Sequence, residues 1–251
     1  MLLVLVAVVA ALYIAACAAL VLKQRSFLYY PQPASFGTAA DRMKLAVEGG
    51  NVMVSVNERK GPGAVLYFGG NAEDVSYHLP TMPAQFPDRA IYLMHYRGYG
   101  GSVGSPTQAL LQQDALALFD YVQAEHPDVI VIGRSLGTGV AIKLATVRPV
   151  SRLVLVTPYD SIEALAASQF PMFPVSWLLQ DKFESRLYAS LVKVPTLVIV
   201  AGNDQVIPRA STEQLYRRFA PGIARMEVIE GAGHDVVLAA PQFDSLLRNF
   251  R

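Results

Sequence analysis

Five uninterrupted apolar runs, at residues 64–68, 90–94, 129–132, 153–156 and 197–200, constrain this chain more than any other feature. Each is four or five residues long and has no polar residue at alternate positions, so each predicts a strand covered on both faces. Residues 226–229 form a shorter sixth run. Between the runs lie amphipathic stretches at 72–86, 107–125, 136–147, 209–219 and 235–250, which predict helices. Strand and helix in alternation imply an α/β fold, a mainly parallel sheet with helices on both faces. Ahead of them, residues 44–47 and 51–57 alternate apolar and polar positions around Glu48-Gly49-Gly50 and predict an antiparallel hairpin. A chain of 251 residues buries enough core to stand without disulfides or a structural metal, and Cys17 is its single cysteine. The net charge of +1, with no basic block, gives no footprint for nucleic acid. The expected substrate is therefore a small or apolar molecule, and no cofactor is implied.

Residues 1–22 carry no charged side chain. About 20 apolar residues cross a hydrocarbon core of about 30 Å as a helix, so this run predicts a transmembrane anchor. A cleavable signal peptide has a basic leading region and a shorter apolar core, which are not found here. Ile14-Ala15-Ala16-Cys17 resembles a bacterial lipoprotein processing box, but the apolar run continues past Cys17 with no Lys or Arg before it. Lys23 and Arg25 follow the span, with Arg42 and Lys44 beyond, so the positive-inside rule puts the body of the protein on the cytoplasmic side. The expected organisation is an anchor at 1–22, a neck at 23–43 and an α/β domain at 44–251. Within that domain, the proline- and aromatic-rich stretch at 161–194 is expected as a short cap. Tyr29 and Tyr30 in the neck suit an interfacial belt.

Ligands of open parallel sheets bind beyond the carboxyl ends of the strands. Gly133-Arg134-Ser135-Leu136-Gly137 lies at such an end, closing one apolar run and opening a helix, which is the context that gives G-x-S-x-G its meaning. The turn exposes the serine hydroxyl at the cost of backbone strain, and the flanking glycines let strand and helix backbones approach closely. Gly139 extends that contact. A serine hydroxyl needs a base, and the base an orienting acid. Of the four histidines, His126 lies at the wrong end of the sheet and is expected to be solvated, His78 is expected at the surface of the first helix, and His95 is expected to pack within its loop. His234, on the glycine turn Gly231-Ala232-Gly233-His234-Asp235 after the last strand, is the expected base.

For the acid, Asp204 closes Gly202-Asn203-Asp204 after the run at 197–200, giving the chain order Ser, Asp, His. An aspartate there also suits a turn or a helix cap. Asp160, in Thr157-Pro158-Tyr159-Asp160-Ser161, is the rival acid and could equally cap the next helix. A developing oxyanion needs two donors. The backbone amide of Leu136 suits one and that of Asn71, in Phe68-Gly69-Gly70-Asn71-Ala72, the other.

These motifs, with Glu73-Asp74, His95-Tyr96-Arg97-Gly98-Tyr99-Gly100-Gly101-Ser102 and the turns at Ser135, Asp204 and His234, resemble the α/β-hydrolase superfamily from about Val52 to the C-terminus. The set is most similar to the Bem46-like and serine-aminopeptidase-like branch, which includes membrane-anchored members. The resemblance implies a serine hydrolase with Ser135, Asp204 and His234 as its triad. It covers esterases, thioesterases, lipases and peptidases alike, and a noncatalytic binding protein on the same fold is a further alternative. One departure stands out: relatives usually carry His-Gly-Asn where this chain has Gly69-Gly70-Asn71.

Overall fold

A computed structural model of the chain describes residues 1–250. Eight strands form one sheet: β1 Arg42–Val47, β2 Gly50–Asn57, β3 Gly63–Phe68, β4 Arg89–Met94, β5 Asp128–Arg134, β6 Arg152–Val156, β7 Thr196–Ala201 and β8 Ala224–Ile229. Their spatial order is β1-β2-β4-β3-β5-β6-β7-β8. The first two pair antiparallel as a hairpin, β2 joins β4 antiparallel, and every pairing beyond is parallel. Every residue of β3 and β7 is buried, the burial that their solid apolar runs require.

The register decides where chemistry can occur. Phe68 lies opposite Gly133, Arg134 opposite Val156 and Ala201 opposite Ile229, so the loops leaving β3, β5, β6, β7 and β8 emerge along one edge. Side chains alternate between two apolar layers. Leu66 and Phe68 pack with Leu111, Phe119 and Val140 on one face. Val65 and Tyr67 pack with Met82, Phe86, Phe243 and Leu247 on the other. Burying each such side chain contributes about 1.5–3 kcal/mol, which makes the sheet a rigid base for that edge.

The helices are α1 Leu2–Leu28, α2 Met82–Gln85, α3 Gln108–Gln123, α4 Leu136–Ala145, α5 Ile162–Gln169, α6 Val175–Leu178, α7 Arg209–Tyr216 and α8 Pro241–Arg248. Two expected helices are broken. The stretch 72–86 becomes a 3-10 turn at Val75–His78 and the short α2, because Pro80 and Pro83 remove amide donors from the interior of one continuous helix. The stretch 235–250 likewise divides into a 3-10 turn at Val237–Ala239 and α8, with Pro241 at its first position, where a missing donor costs nothing.

Helix α1 runs six residues past the expected end of the apolar span, and it is long and apolar enough to cross a membrane. Extended backbone at Tyr29 stops it. Tyr29 is not the interfacial residue expected: it is buried, and its hydroxyl donates to Asp181 Oδ2 at 3.1 Å. Tyr30 is exposed. The segment 161–194 holds α5, α6 and two 3-10 turns, Ser185–Leu187 and Ala189–Leu191. It leans on α1, where the Tyr13 and Phe173 rings stack at 5.8 Å.

Candidate active site

Ser135 stands between the end of β5 and the start of α4 with φ 47° and ψ −117°, a left-handed conformation that is strained for any residue with a side chain. Its neighbours hold it there. Its amide donates to the Val156 carbonyl at 2.9 Å, and Thr138 Oγ1 donates to the Ser135 carbonyl at 2.6 Å. Gly137 has no alternative at its position, since a Cβ would overlap the Phe68 carbonyl. A Cβ on Gly133 would meet the Gly137 carbonyl and Ala141. The strand and helix backbones therefore touch, as the glycine spacing implied.

His234 Nε2 lies 3.0 Å from Ser135 Oγ, and His234 Nδ1 lies 2.8 Å from Asp204 Oδ2. Both Ser135 and His234 are 9 % exposed, so the pair reaches the surface but is largely screened from bulk water. Asp204 also accepts the Val206 and Ile207 amides on Oδ1, each at 2.8 Å. Burial alone would raise its pKa; the bonds from His234 and the two amides outweigh that and hold it below the usual carboxylate range. One oxygen of Asp204 thus organises the turn and the other faces the imidazole. Asp160 is elsewhere. It accepts Ser211 Oγ at 2.7 Å and stands 4.0 Å from Arg186.

The loop after β3 runs beside the serine, with the position of a Cβ on Gly70 3.5 Å from Ser135 Cβ. The Gly70 amide is already occupied by the Glu73 carboxylate. The Asn71 amide carries no hydrogen bond among the described residues, and the Leu136 amide, first in α4, has no acceptor within its helix. The Asn71 side chain points to the neck instead, where Oδ1 accepts the Tyr30 amide at 3.0 Å and the Tyr99 hydroxyl at 3.1 Å.

Sequence reasoning missed the charged group that ties these loops together. Arg134, the residue before the serine, donates through Nη1 to Glu73 Oε2 at 2.8 Å and through Nη2 to the His234 carbonyl at 3.1 Å. Glu73 also accepts Tyr67 Oη at 2.6 Å and meets His78 Nε2 at 2.7 Å. Burial would raise the Glu73 carboxyl, but its bonds with His78, Arg134 and Tyr67 bring it down to about 2. Tyr96 Oη donates to the Gly69 carbonyl at 2.8 Å. These contacts brace the loop at Gly69-Gly70-Asn71. Both Glu73 and Tyr96 lie within the motifs already quoted, so their positions were visible while their partners were not.

Two other histidines differ from or add to the expectation. His126 is buried rather than solvated, with Nδ1 2.8 Å from the Gly61 carbonyl and Nε2 3.3 Å from Tyr92 Oη. His95 packs in its loop with Nε2 2.8 Å from Ser55 Oγ, and burial pushes its pKa down to about 4. Among the described residues no group of three or more His, Cys, Asp or Glu side chains could hold a metal ion.

No protein-family model matches the sequence. The chain is 31% identical over 232 residues to an uncharacterised protein of Mycobacterium tuberculosis, covering 85% of this chain and 81% of that one. It is 31% identical over 186 residues to the lysophosphatidylserine lipase ABHD12 of Xenopus tropicalis, covering 62% of this chain and 48% of the lipase. The match to protein bem46 of Schizosaccharomyces pombe is 26% over 198 residues, covering 71% of this chain and 65% of that protein. The chain therefore spans about half the length of the lipase and two thirds of the yeast protein. Among solved structures, a Pyrococcus furiosus esterase superposes with a TM-score of 0.69 at 17% identity, covering 88% of this chain and 95% of the esterase. An enol-lactonase from Burkholderia xenovorans superposes with a TM-score of 0.66 at 19% identity, covering 83% and 99%. At those identities the superpositions speak for the fold.

Proposed function

Because this chain belongs to the α/β-hydrolase superfamily, we propose that it is a membrane-anchored serine hydrolase cleaving a carboxylic ester or thioester through an acyl-enzyme. The observation that carries this reading is the unbroken line from Ser135 Oγ through both ring nitrogens of His234 to Asp204 Oδ2, at 3.0 and 2.8 Å. Ser135 attacks the substrate carbonyl while His234 Nε2 takes its proton, and Asp204 holds the imidazole in the required tautomer and offsets its positive charge. The carbonyl oxygen becomes an oxyanion facing the free amides of Asn71 and Leu136, donors worth about 3–4 kcal/mol each in the transition state. His234 then protonates the leaving alcohol or thiol. Water, activated by the same imidazole, releases the acid and restores Ser135.

A lipid-derived ester is the favoured substrate class, from the similarity to a lysophosphatidylserine lipase and the apolar helix α1. In this reading residues 2–28 hold the protein in the membrane, and the positive charges that follow the apolar run put the hydrolase domain on the cytoplasmic side. Two alternatives draw less support. A peptidase needs a group to hold a peptide terminus, and a noncatalytic protein has no use for a strained Ser135 aligned with His234.

The test is fluorophosphonate labelling of the full chain in membranes, with the adduct mapped by peptide sequencing, followed by a panel of lysophospholipids, acyl thioesters and peptide amides. A label on Ser135 with turnover of the esters or thioesters supports the reading. Turnover restricted to peptides, or a label on another residue, overturns it. Retention of the full chain in membranes after alkaline washing, with the domain protected from protease in sealed vesicles of cytoplasmic-side-in orientation, tests the anchor and its direction.

A further inference from the structure

We propose that the crevice between α1 and the cap is an acyl-chain subsite, filled sideways from one leaflet of the bilayer by the single acyl chain of a lipid-derived ester. The proposal rests on the reading of the chain as a membrane-anchored hydrolase. The crevice has a volume of about 280 Å³ and an almost wholly apolar lining. Leu20, Phe27 and Leu28 of α1 form one wall, and Leu165, Ala166 and Leu178 of the cap form the other. No residue of α5 is fully buried, and Ile162 and Leu165, which pack partly against the core, also line this space.

The cap lies at membrane depth along α1. Tyr13 is 15 residues before Leu28, or about 22 Å along a helix axis, and falls in the middle of the uncharged run. At that level it meets Met172 and Phe173. Irregular backbone survives in hydrocarbon only where the protein itself satisfies its polar groups. The side chains of α1 do this. Tyr13 Oη donates to the Met172 carbonyl at 2.8 Å, Gln24 Nε2 donates to the Leu178 carbonyl at 3.2 Å, and Gln24 Oε1 accepts the Gln180 amide at 2.7 Å. Outside the crevice Met172 and Trp177 are 81 % and 87 % exposed, an apolar surface suited to lipid rather than water.

The occupant follows from the size of the space and from what can reach it. A partner helix needs a groove for a cylinder of about 10 Å diameter, whereas this cavity is at the lower end of the range for small ligands. One wall belongs to a helix bathed in lipid, so the species delivered there by lateral diffusion is an acyl tail. Neither Ser135 nor His234 lines the crevice; the neck links the two places. Leu28 lines the crevice, and two residues further, at most about 7 Å of chain, the Tyr30 amide donates to Asn71 of the loop beside Ser135. On this proposal the acyl tail lies in the crevice and its head passes along the neck, so that the ester carbonyl reaches the serine.

The experiment uses the full chain in phosphatidylcholine vesicles, with palmitic acid bearing a mid-chain diazirine as the probe. In the Ser135→Ala protein, where turnover plays no part, light should place adducts on residues 162–169 and 175–179, and Ala166→Trp should reduce them at least tenfold. Adducts confined to the outer surface of α1 would overturn the subsite. Kinetics supply the second readout. Ala166→Trp, and independently Leu178→Trp from the same wall, should lower kcat/KM for p-nitrophenyl palmitate at least tenfold and leave p-nitrophenyl acetate within twofold. Unchanged palmitate turnover in both variants overturns the proposal while leaving the hydrolase intact. If the wild-type chain hydrolyses neither ester, the hydrolase reading falls, and the photolabelling map still decides whether the crevice takes an acyl chain.

Discussion

At the carboxyl edge of the sheet, Ser135, His234 and Glu73 are polar groups in a nearly dry place, and each side chain has its partners within 3.0 Å. In the segment 161–194, Phe170, Met172 and Trp177 are apolar groups left uncovered, while Tyr13 and Gln24 of α1 satisfy its backbone and Arg25 pairs with the Asp181 carboxylate. The first region is organised by the exclusion of water, which strengthens each electrostatic contact and makes each unpaired group expensive. The second has the composition of a core with no core around it. On the function proposed above, the two regions meet two solvents, the first keeping the chemistry against water and the second taking substrate from lipid.

The sharpest break of this contrast is Ser135→Ala. With no other nucleophile in reach of His234, turnover should fall by about 10⁶ while thermal stability stays close to wild type. Residual hydrolysis within tenfold of wild type, measured with the same ester, would sink the mechanism. Next in size is Asp204→Asn, which should lower kcat by about 10⁴ through loss of the imidazole's tautomer. Asp160→Asn should leave kcat within a few-fold, because Asp160 holds Ser211 and not His234. A reversed ranking of the two variants would move the acid to Asp160.

The same contrast governs what could be read before the structure. The sheet was legible because burial on both faces demands solid apolar runs, and the Ser135 turn because only glycine fits beside it. Pro80 and Pro83 were equally visible, but the apolar periodicity of 72–86 suggested one helix where two missing donors and the Asp74 cap make two short pieces. Long-range polar pairs were not legible. Nothing local to Tyr29 reports Asp181, which is 152 residues away, and nothing at His126 reports the Gly61 carbonyl. The Arg134–Glu73 pair spans 61 residues. Such pairs are fixed by how the loops cross at the sheet edge, which periodicity does not encode.

That pair gives a stability prediction in which pH is the probe. Glu73 titrates at about 2 in the folded chain against an ordinary value of 4.5. A lowered carboxyl stabilises the fold above its ordinary value, and the contribution is lost as pH falls through 4.5 toward 2. The shift corresponds to about 3 kcal/mol at neutral pH. Glu73→Gln should therefore be less stable than wild type by about 3–5 kcal/mol at pH 7, since the buried Arg134 keeps only the exposed Asp235, at 3.2 Å, as a partner charge. The gap should narrow between pH 5 and pH 3 in denaturant titrations. A gap that stays constant over that range would show that the carboxylate is not held in its charged form.

The smallest effect belongs to Asn71, where the two regions meet through the neck. Its side-chain oxygen is turned to the Tyr30 amide and the Tyr99 hydroxyl, while its backbone amide has no acceptor among the described residues. Asn71→Ala keeps that amide and removes only the tie to the neck, so kcat should fall by less than about tenfold, the equivalent of 1.4 kcal/mol. Tyr99→Phe removes one donor to the same oxygen and the acceptor that Tyr30 also uses at 2.9 Å. Because the two changes share partners, the double variant should lose less than the sum of the single losses. A loss at Asn71→Ala as deep as at Ser135→Ala, with thermal stability unchanged, would make the side chain a direct donor to the oxyanion and break the separation between the site and the apolar segment beside α1.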